Sequence, residues 1–174
     1  MAADLRQTFP AVPTISPRDL YIAMQQVPPA SALVLVDVRT PEEVAVSSLP
    51  GAVTAAAFQA RRRELREQDA LVVAYCTIGY RSSQFVQELL SDGFRARNLE
   101  GSVLAWTHER LPLVVGGAGA GAQAAPTTRV HVFGKQWELQ EESYQAVMFR
   151  RPLLALAGAA VRGALPRWLG GGGG

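Results

Sequence analysis

The chain has 174 residues, enough for one domain with a hydrophobic core and a tail. Hydrophobic residues make up 48% of it and charged residues 18%, which excludes a wholly disordered protein, and the net charge of +2 is too small to indicate nucleic-acid binding. A single cysteine excludes an intramolecular disulfide, and two histidines offer no metal-ligand spacing, so we expect neither a metal nor a cofactor.

Strands and helices are predicted to alternate from residue 16 onward. Residues 33–36 and 71–75 are short unbroken apolar runs, as in strands buried on both faces of a parallel sheet. The alternation predicts an open parallel α/β sheet with helices on both faces. The predicted elements are a helix over 17–26, a strand over 33–36, a short helix from 41, a brief strand over 52–54, a helix over 56–66, a strand over 71–75, a helix over 82–91, a strand over 96–99 and a short helix over 101–106.

The Gly- and Ala-rich stretch 116–127 predicts a flexible linker between a domain at 12–115 and a C-terminal extension at 128–174. In the extension, 129–133 alternates like a strand and 141–149 is predicted to be helical. Residues 152–165 predict a further helix, too short to span a bilayer. We expect it to dock on the domain or a partner, with contact to a membrane surface as the less favoured alternative.

Cys76 follows the strand predicted at 71–75, and a helix is predicted to begin at Ser82. Open parallel sheets bind ligands outside the carboxyl ends of their strands. The free N–H groups of a helix start favour an anion, Gly79 can adopt a positive φ that curls such groups inward, and Arg81 adds a cation. All three favour the Cys76 thiolate, so a nucleophile is indicated, although a lone cysteine is usually an inert buried side chain.

Four motifs in order carry a resemblance to the rhodanese family. The loop Cys76-Thr77-Ile78-Gly79-Tyr80-Arg81-Ser82 resembles its active-site sequence C-x-x-G-x-R-S. The similarity covers roughly residues 12–115, with one departure at Ser48, where the family usually has His. The other three segments are Leu35-Val36-Asp37-Val38-Arg39 against L-I-D-V-R, Pro50-Gly51-Ala52 against I-P-G-A, and Leu99 to Trp106 against L-x-G-G-x-x-x-W.

The resemblance implies a three-layer α/β/α sandwich around a five-stranded parallel sheet. It also implies sulfur transfer through a persulfide on Cys76, from a small-molecule or protein donor such as thiosulfate to a thiol acceptor. Thr77, Ile78, Gly79, Tyr80 and Arg81 would form the binding loop.

Several side chains near this loop have a second interpretation. Arg81 either binds the donor anion or pairs with a carboxylate. Asp37 and Arg39 end another predicted strand, where structural hydrogen bonding is favoured over substrate contact. Ser82 and Ser83 are interpreted as helix caps. Since every element of the loop lies before Gly116, the extension is expected to be dispensable for Cys76 chemistry.

Two other functions stay open. An interaction module would keep the fold without catalysis, although such modules often replace the cysteine. A phosphatase is less favoured, because related phosphatases follow C-x5-R, whereas four residues separate Cys76 from Arg81 here. The first residues show no secretory pattern, so we expect a cytoplasmic protein, or a plastid or other organellar one if a targeting segment has been removed.

Overall fold

The computed structural model describes residues 2–26, 33–116 and 124–149, and the structural statements below concern these ranges. The helix predicted over 152–165 lies outside the described residues, so its docking stays a prediction.

A five-stranded parallel sheet forms the centre of the fold, as predicted. Its strands are β1 (Thr14–Ile15), β2 (Leu33–Asp37), β3 (Val53–Thr54), β4 (Leu71–Tyr75) and β5 (Arg95–Leu99). They lie in the order β1-β5-β4-β2-β3, which places β4 at the centre of the sheet. The carboxyl ends of β2 and β4 are level, because Asp37 pairs with Tyr75. Residues that follow these two strands therefore meet at one edge of the sheet.

Helices cover both faces of the sheet, which confirms the predicted three-layer architecture. Alternate residues of a strand face opposite sides. Val72 and Ala74 join one apolar core with Phe58 and Phe85, while Val73 and Tyr75 join a second core with Leu20 and Trp106. The helices are α1 (Ala2–Thr8), α2 (Pro17–Gln25), α3 (Pro41–Val46), α4 (Ala55–Ala60), α5 (Arg62–Glu67), α6 (Tyr80–Ser91) and α7 (Ser102–His108).

Two of the helices differ from the sequence prediction in a way that has a local cause. The helix predicted over 56–66 is divided at Arg61, whose φ of −111° and ψ of 9° interrupt the helical backbone between α4 and α5. The helix predicted from Ser82 begins at Tyr80, because Gly79 adopts the left-handed conformation and acts as its N-cap.

Beyond the sheet, the chain forms two small strand pairs. β6 (Leu113–Val115) pairs antiparallel with β7 (Ala125–Thr127), so the last residues of the predicted linker form a strand. β8 (Arg129–His131) pairs parallel with β9 (Gln145–Val147). A 3₁₀ turn lies between them at Lys135–Trp137.

The prediction of a helix over 141–149 is wrong, because these residues contain β9. Pairing with β8 and the adjoining chain gives their backbone its partners: Gln145 N–H donates to Thr128 O at 2.8 Å, and Val132 N–H donates to Val147 O at 3.0 Å. Tertiary pairing of this kind overrides local helix propensity. Val130 and Tyr144 are buried in the same core as Trp106, so the described part of the extension packs on the domain.

No helix within the described ranges is long and apolar enough to cross a membrane.

Candidate active site

Cys76 lies immediately after β4, at the carboxyl edge of the sheet, and is 1% exposed. The N–H of Gly79 donates to its Sγ at 3.1 Å. Gly79 is the N-cap of α6 and has φ +108°, the positive φ expected from the sequence. A side chain there would be strained, and its Cβ would lie 3.0 Å from Leu5 Cδ1. The sulfur is therefore held against the N-terminus of a 12-residue helix.

Two buried serines complete the surroundings of the sulfur. Ser82 Oγ lies 3.5 Å from Cys76 Sγ, within donating distance for a hydrogen bond to sulfur. Ser102 Oγ accepts the backbone N–H of Cys76 at 3.1 Å and lies 4.0 Å from Sγ. Ser102 follows Gly101 in the segment noted in the sequence, but its contact with Cys76 was not predicted.

The interpretation of Ser82 and Ser83 as helix caps is wrong. Because α6 begins at Tyr80, both serines lie inside its first turn. Ser83 Oγ donates to Gly79 O at 2.7 Å and accepts from Asn98 Nδ2 at 2.9 Å, which ties the helix start to β5. Ser82 faces the sulfur instead.

The surroundings of Cys76 favour the thiolate. Burial alone would raise the pKa of Cys76. The charge of Arg81 and the hydrogen bonds from Ser82 and Gly79 lower this pKa by more than burial raises it, so it lies below the ordinary value for a cysteine. The balance supports a nucleophilic sulfur, since a thiolate is the reactive form of cysteine.

Arg81 forms a two-pronged ion pair with Glu43. Its Nη1 donates to Oε2 and its Nη2 to Oε1, both at 2.8 Å, and Thr77 Oγ1 donates to Oε1 at 3.3 Å. Glu43 also accepts the backbone N–H of Thr40 at 2.9 Å as part of the capping box of α3. Burial raises the pKa of Glu43, but its contacts with Arg81 and His131 lower it more strongly, so the carboxylate stays charged.

The side chains of the loop differ in their exposure. Tyr80 is 46% exposed and packs edge-on against Phe9, with ring centroids 5.3 Å apart. Ile78 is half-buried, whereas Thr77 is fully buried. The loop therefore has a polar interior and an aromatic residue at its outer surface.

Asp37 and Arg39 form a separate buried ion pair. Arg39 Nε donates to Oδ1 of Asp37 at 2.9 Å and Nη2 donates to Oδ2 at 2.7 Å, and both side chains are fully buried. Arg39 also donates to Ser47 O and lies over the Tyr75 ring, 5.6 Å from its centroid. These contacts join the end of β2 to the chain after α3.

The extension contributes two residues that the sequence did not indicate. His131 of β8 is 3% exposed, and its Nδ1 lies 3.1 Å from Glu43 Oε1. The Phe133 ring lies against the Arg81 guanidinium, 5.2 Å from centroid to carbon. Every element of the loop itself precedes Gly116, as predicted, but these two residues of the extension contact Arg81 and its partner Glu43, and the dispensability of the extension stays a prediction. Both contacts join residues far apart in sequence, which no local pattern reveals; only Glu43 has a local signal, the capping-box spacing from Thr40.

Comparison with known proteins identifies relatives of the first part of the chain. The family model of the rhodanese-like domain matches residues 16–109. A protein of Allochromatium vinosum named sulfurtransferase is 38% identical over 85 residues, which cover 47% of this chain and 78% of that protein.

Two solved structures share the fold. The thiosulfate sulfurtransferase of Pseudomonas aeruginosa matches with a TM-score of 0.56 and 22% identity, over 66% of this chain and 22% of the longer protein. A Rhodopseudomonas palustris protein of unknown function, described as a possible tyrosine phosphatase, matches with a TM-score of 0.52 and 21% identity, over 64% of this chain and 90% of that one. At these identities the two structures support the fold alone.

The family model matches more than half of the chain, and the Allochromatium protein is similar over most of its own length. The chain therefore belongs to the rhodanese-like domain family.

Proposed function

We propose that the protein is a sulfurtransferase that carries a sulfane sulfur as a persulfide on Cys76. The observation that carries the proposal is the hydrogen bond from Gly79 N–H to Cys76 Sγ at the start of α6. A helix N-terminus stabilises a thiolate and, one bond further out, a persulfide anion. The curated relative named sulfurtransferase supports the same activity.

The reaction has two balanced steps when thiosulfate is the donor. The Cys76 thiolate attacks the outer sulfur of thiosulfate, the S–S bond of the donor breaks, and its electron pair leaves with sulfite. The product is a Cys76 persulfide anion. An acceptor thiolate then attacks the outer sulfur of that persulfide, takes it as its own persulfide, and regenerates the Cys76 thiolate.

The neighbours of Cys76 have distinct roles in this proposal. Gly79 N–H and the Ser82 hydroxyl stabilise the charge on sulfur, before and after the first step. Arg81 attracts an anionic donor; its side chain is 31% exposed, so it is open to solvent although it is paired with Glu43. Ser102 holds the backbone of Cys76 in place.

The size of the loop favours sulfur transfer over phosphate-ester hydrolysis. Only four residues separate Cys76 from Arg81, and the loop is short enough for Gly79 N–H to donate to Cys76 Sγ. A loop of this length fits a single sulfur atom better than a tetrahedral phosphate.

A turnover assay separates the enzyme from a non-catalytic interaction module. Purified protein is given thiosulfate and cyanide, and thiocyanate formation is compared with that of Cys76→Ser. We expect thiocyanate from the wild type and none from the variant. Equal rates for both proteins, or no product from the wild type with several sulfane donors, would contradict the proposal.

A further inference from the structure

We infer that His131 and Phe133, in the C-terminal extension, are positioning residues for Arg81, and that the extension is therefore part of the active site. The inference deepens the proposed function and rests on it for the chemistry at Cys76. It concerns residues outside the matched rhodanese-like domain, which ends at residue 109.

His131 contacts the carboxylate of Glu43, which in turn pairs with Arg81. Its ring is buried, and Nδ1 lies 3.1 Å from Glu43 Oε1. Among the described residues, Nδ1 has no partner in full hydrogen-bond geometry, so this close approach to Glu43 is the polar contact available to it. Because an ionised carboxylate only accepts, the proton of His131 that satisfies this contact belongs on Nδ1. The histidine thus adds a donor for the negative charge of Glu43, beside Arg81 and the weaker donors Thr77 and Thr40.

The ring of His131 is itself held in place. Phe149 stacks on it with centroids 4.3 Å apart at an angle of 25°, and Phe133 meets it edge-on at 5.4 Å. With two aromatic neighbours the imidazole has a defined orientation toward Glu43. Phe149 comes from the chain beyond β9 and His131 from β8, so the pairing of these two strands sets the contact.

Phe133 acts on Arg81 directly. Its ring lies 5.2 Å from the guanidinium carbon, a distance typical of a cation–π contact. Glu43 binds the two η nitrogens of Arg81, and the carbon of the same guanidinium lies over the ring of Phe133. Together they limit how the guanidinium turns. The orientation of the guanidinium therefore depends on Phe133 of the extension as well as on Glu43 of α3.

The consequence is an effect on charge at the site. Without the His131 contact, Glu43 neutralises Arg81 more fully, and the region in front of Cys76 becomes less attractive to an anion. The effect is measured by the ratio of two alkylation rates of Cys76, by anionic iodoacetate and by neutral iodoacetamide. Both reagents consume the thiolate, so at one pH the ratio does not depend on the fraction of thiolate.

The test uses four full-length variants. His131→Leu removes the donor, and His131→Asn keeps an N–H group near the position of Nδ1. Phe133→Leu removes the aromatic face but keeps apolar bulk, at a position that is not fully buried. Val130→Ala is the matched control, because it loosens β8 in the core shared with Trp106 and leaves both contacts intact.

We expect the ratio of the iodoacetate rate to the iodoacetamide rate to fall by roughly two- to five-fold in His131→Leu and in Phe133→Leu. This is a fraction of the free energy of a charge-assisted contact, because both residues act on the anion through Arg81. His131→Asn and Val130→Ala should keep the wild-type ratio.

A wild-type ratio in His131→Leu would overturn the inference; if His131→Leu does not fold, a wild-type ratio in Phe133→Leu would do so. So would an equal fall in His131→Asn or Val130→Ala. The readout needs no sulfur donor, so a protein that is inert toward thiosulfate but shows this pattern would contradict the proposed function alone.

Discussion

The Arg81 guanidinium and the Glu43 carboxylate face each other edge to edge, with both N–O distances at 2.8 Å. The two residues are 38 positions apart in the sequence: Glu43 lies in the first turn of α3 and Arg81 at the start of α6. The carboxylate is 3% exposed and the guanidinium 31%. The cation next to Cys76 thus has a buried counter-charge, and a change to either partner alters both the charge at the site and the stability of the fold.

Replacing Arg81 with Ala should raise the pKa of Cys76, because the charge of Arg81 is the largest of the effects that lower it. We expect the midpoint of the pH dependence of iodoacetamide alkylation to rise by about one pH unit, equivalent to about 1.4 kcal/mol. Thiosulfate turnover should fall more than reaction with a neutral electrophile.

The double variant Arg81→Ala/Glu43→Gln is the control for this prediction. Arg81→Ala alone leaves the Glu43 carboxylate unpaired, and this negative charge raises the pKa of Cys76 as well. The double variant removes that charge, so its alkylation midpoint should lie between those of Arg81→Ala and the wild type. An unchanged midpoint and unchanged turnover in Arg81→Ala would exclude Arg81 from the site.

Replacing Glu43 with Gln should destabilise the protein at pH 7 by about 2–4 kcal/mol, somewhat less than for a fully buried pair, because Arg81 is partly open to solvent. The pKa of Glu43 is lowered in the folded protein, so the stability it contributes is present above its unfolded pKa of about 4.3 and is lost as pH falls through the folded pKa.

Urea denaturation at several pH values measures this difference. The gap between wild type and Glu43→Gln should be constant near neutral pH and shrink below about pH 5. Glu64→Gln is the comparison, since Glu64 pairs with Arg61 at the surface, where both side chains are at least half exposed, and should change little. A gap that grows as the pH falls would contradict the prediction.

Replacing Ser82 with Ala should raise the pKa of Cys76 by about half to one pH unit, the effect of one hydrogen bond to a charged sulfur. Ser83→Ala is the matched control, because Ser83 lies in the same turn but bonds to Gly79 O and Asn98. Alkylation rates across pH give both midpoints. Equal midpoints for the two variants would mean that Ser82 does not act through the sulfur.

Much of the fold follows from local patterns in the sequence. The apolar runs that form β2 and β4 are buried in any parallel sheet, and Pro17 after the capping Ser16 starts α2 as predicted. The positive φ of Gly79 follows in the same way from the need for a tight turn between a strand and a helix.

What the sequence did not reveal depends on long-range contacts. Glu43 has a local role as the capping-box partner of Thr40, and this role gives no sign of its pair with Arg81. His131 reaches Glu43 from 88 residues away, through the parallel pairing of β8 with β9. The same pairing made a strand of residues predicted to be helical. Such contacts follow from packing, which a reading of local periodicity does not include.

The most direct test of the central claim is the mass of the intact protein after exposure to thiosulfate. The account predicts one adduct of about 32 Da on the wild type, lost on reduction, because Cys76 is the chain's single thiol and a persulfide is a reversible cap. Cys76→Ser should fold normally and gain no mass, since a hydroxyl is a far weaker nucleophile near neutral pH. A wild-type protein that stays free of the adduct with thiosulfate and other sulfane donors, or a Cys76→Ser protein that acquires it, would contradict the account.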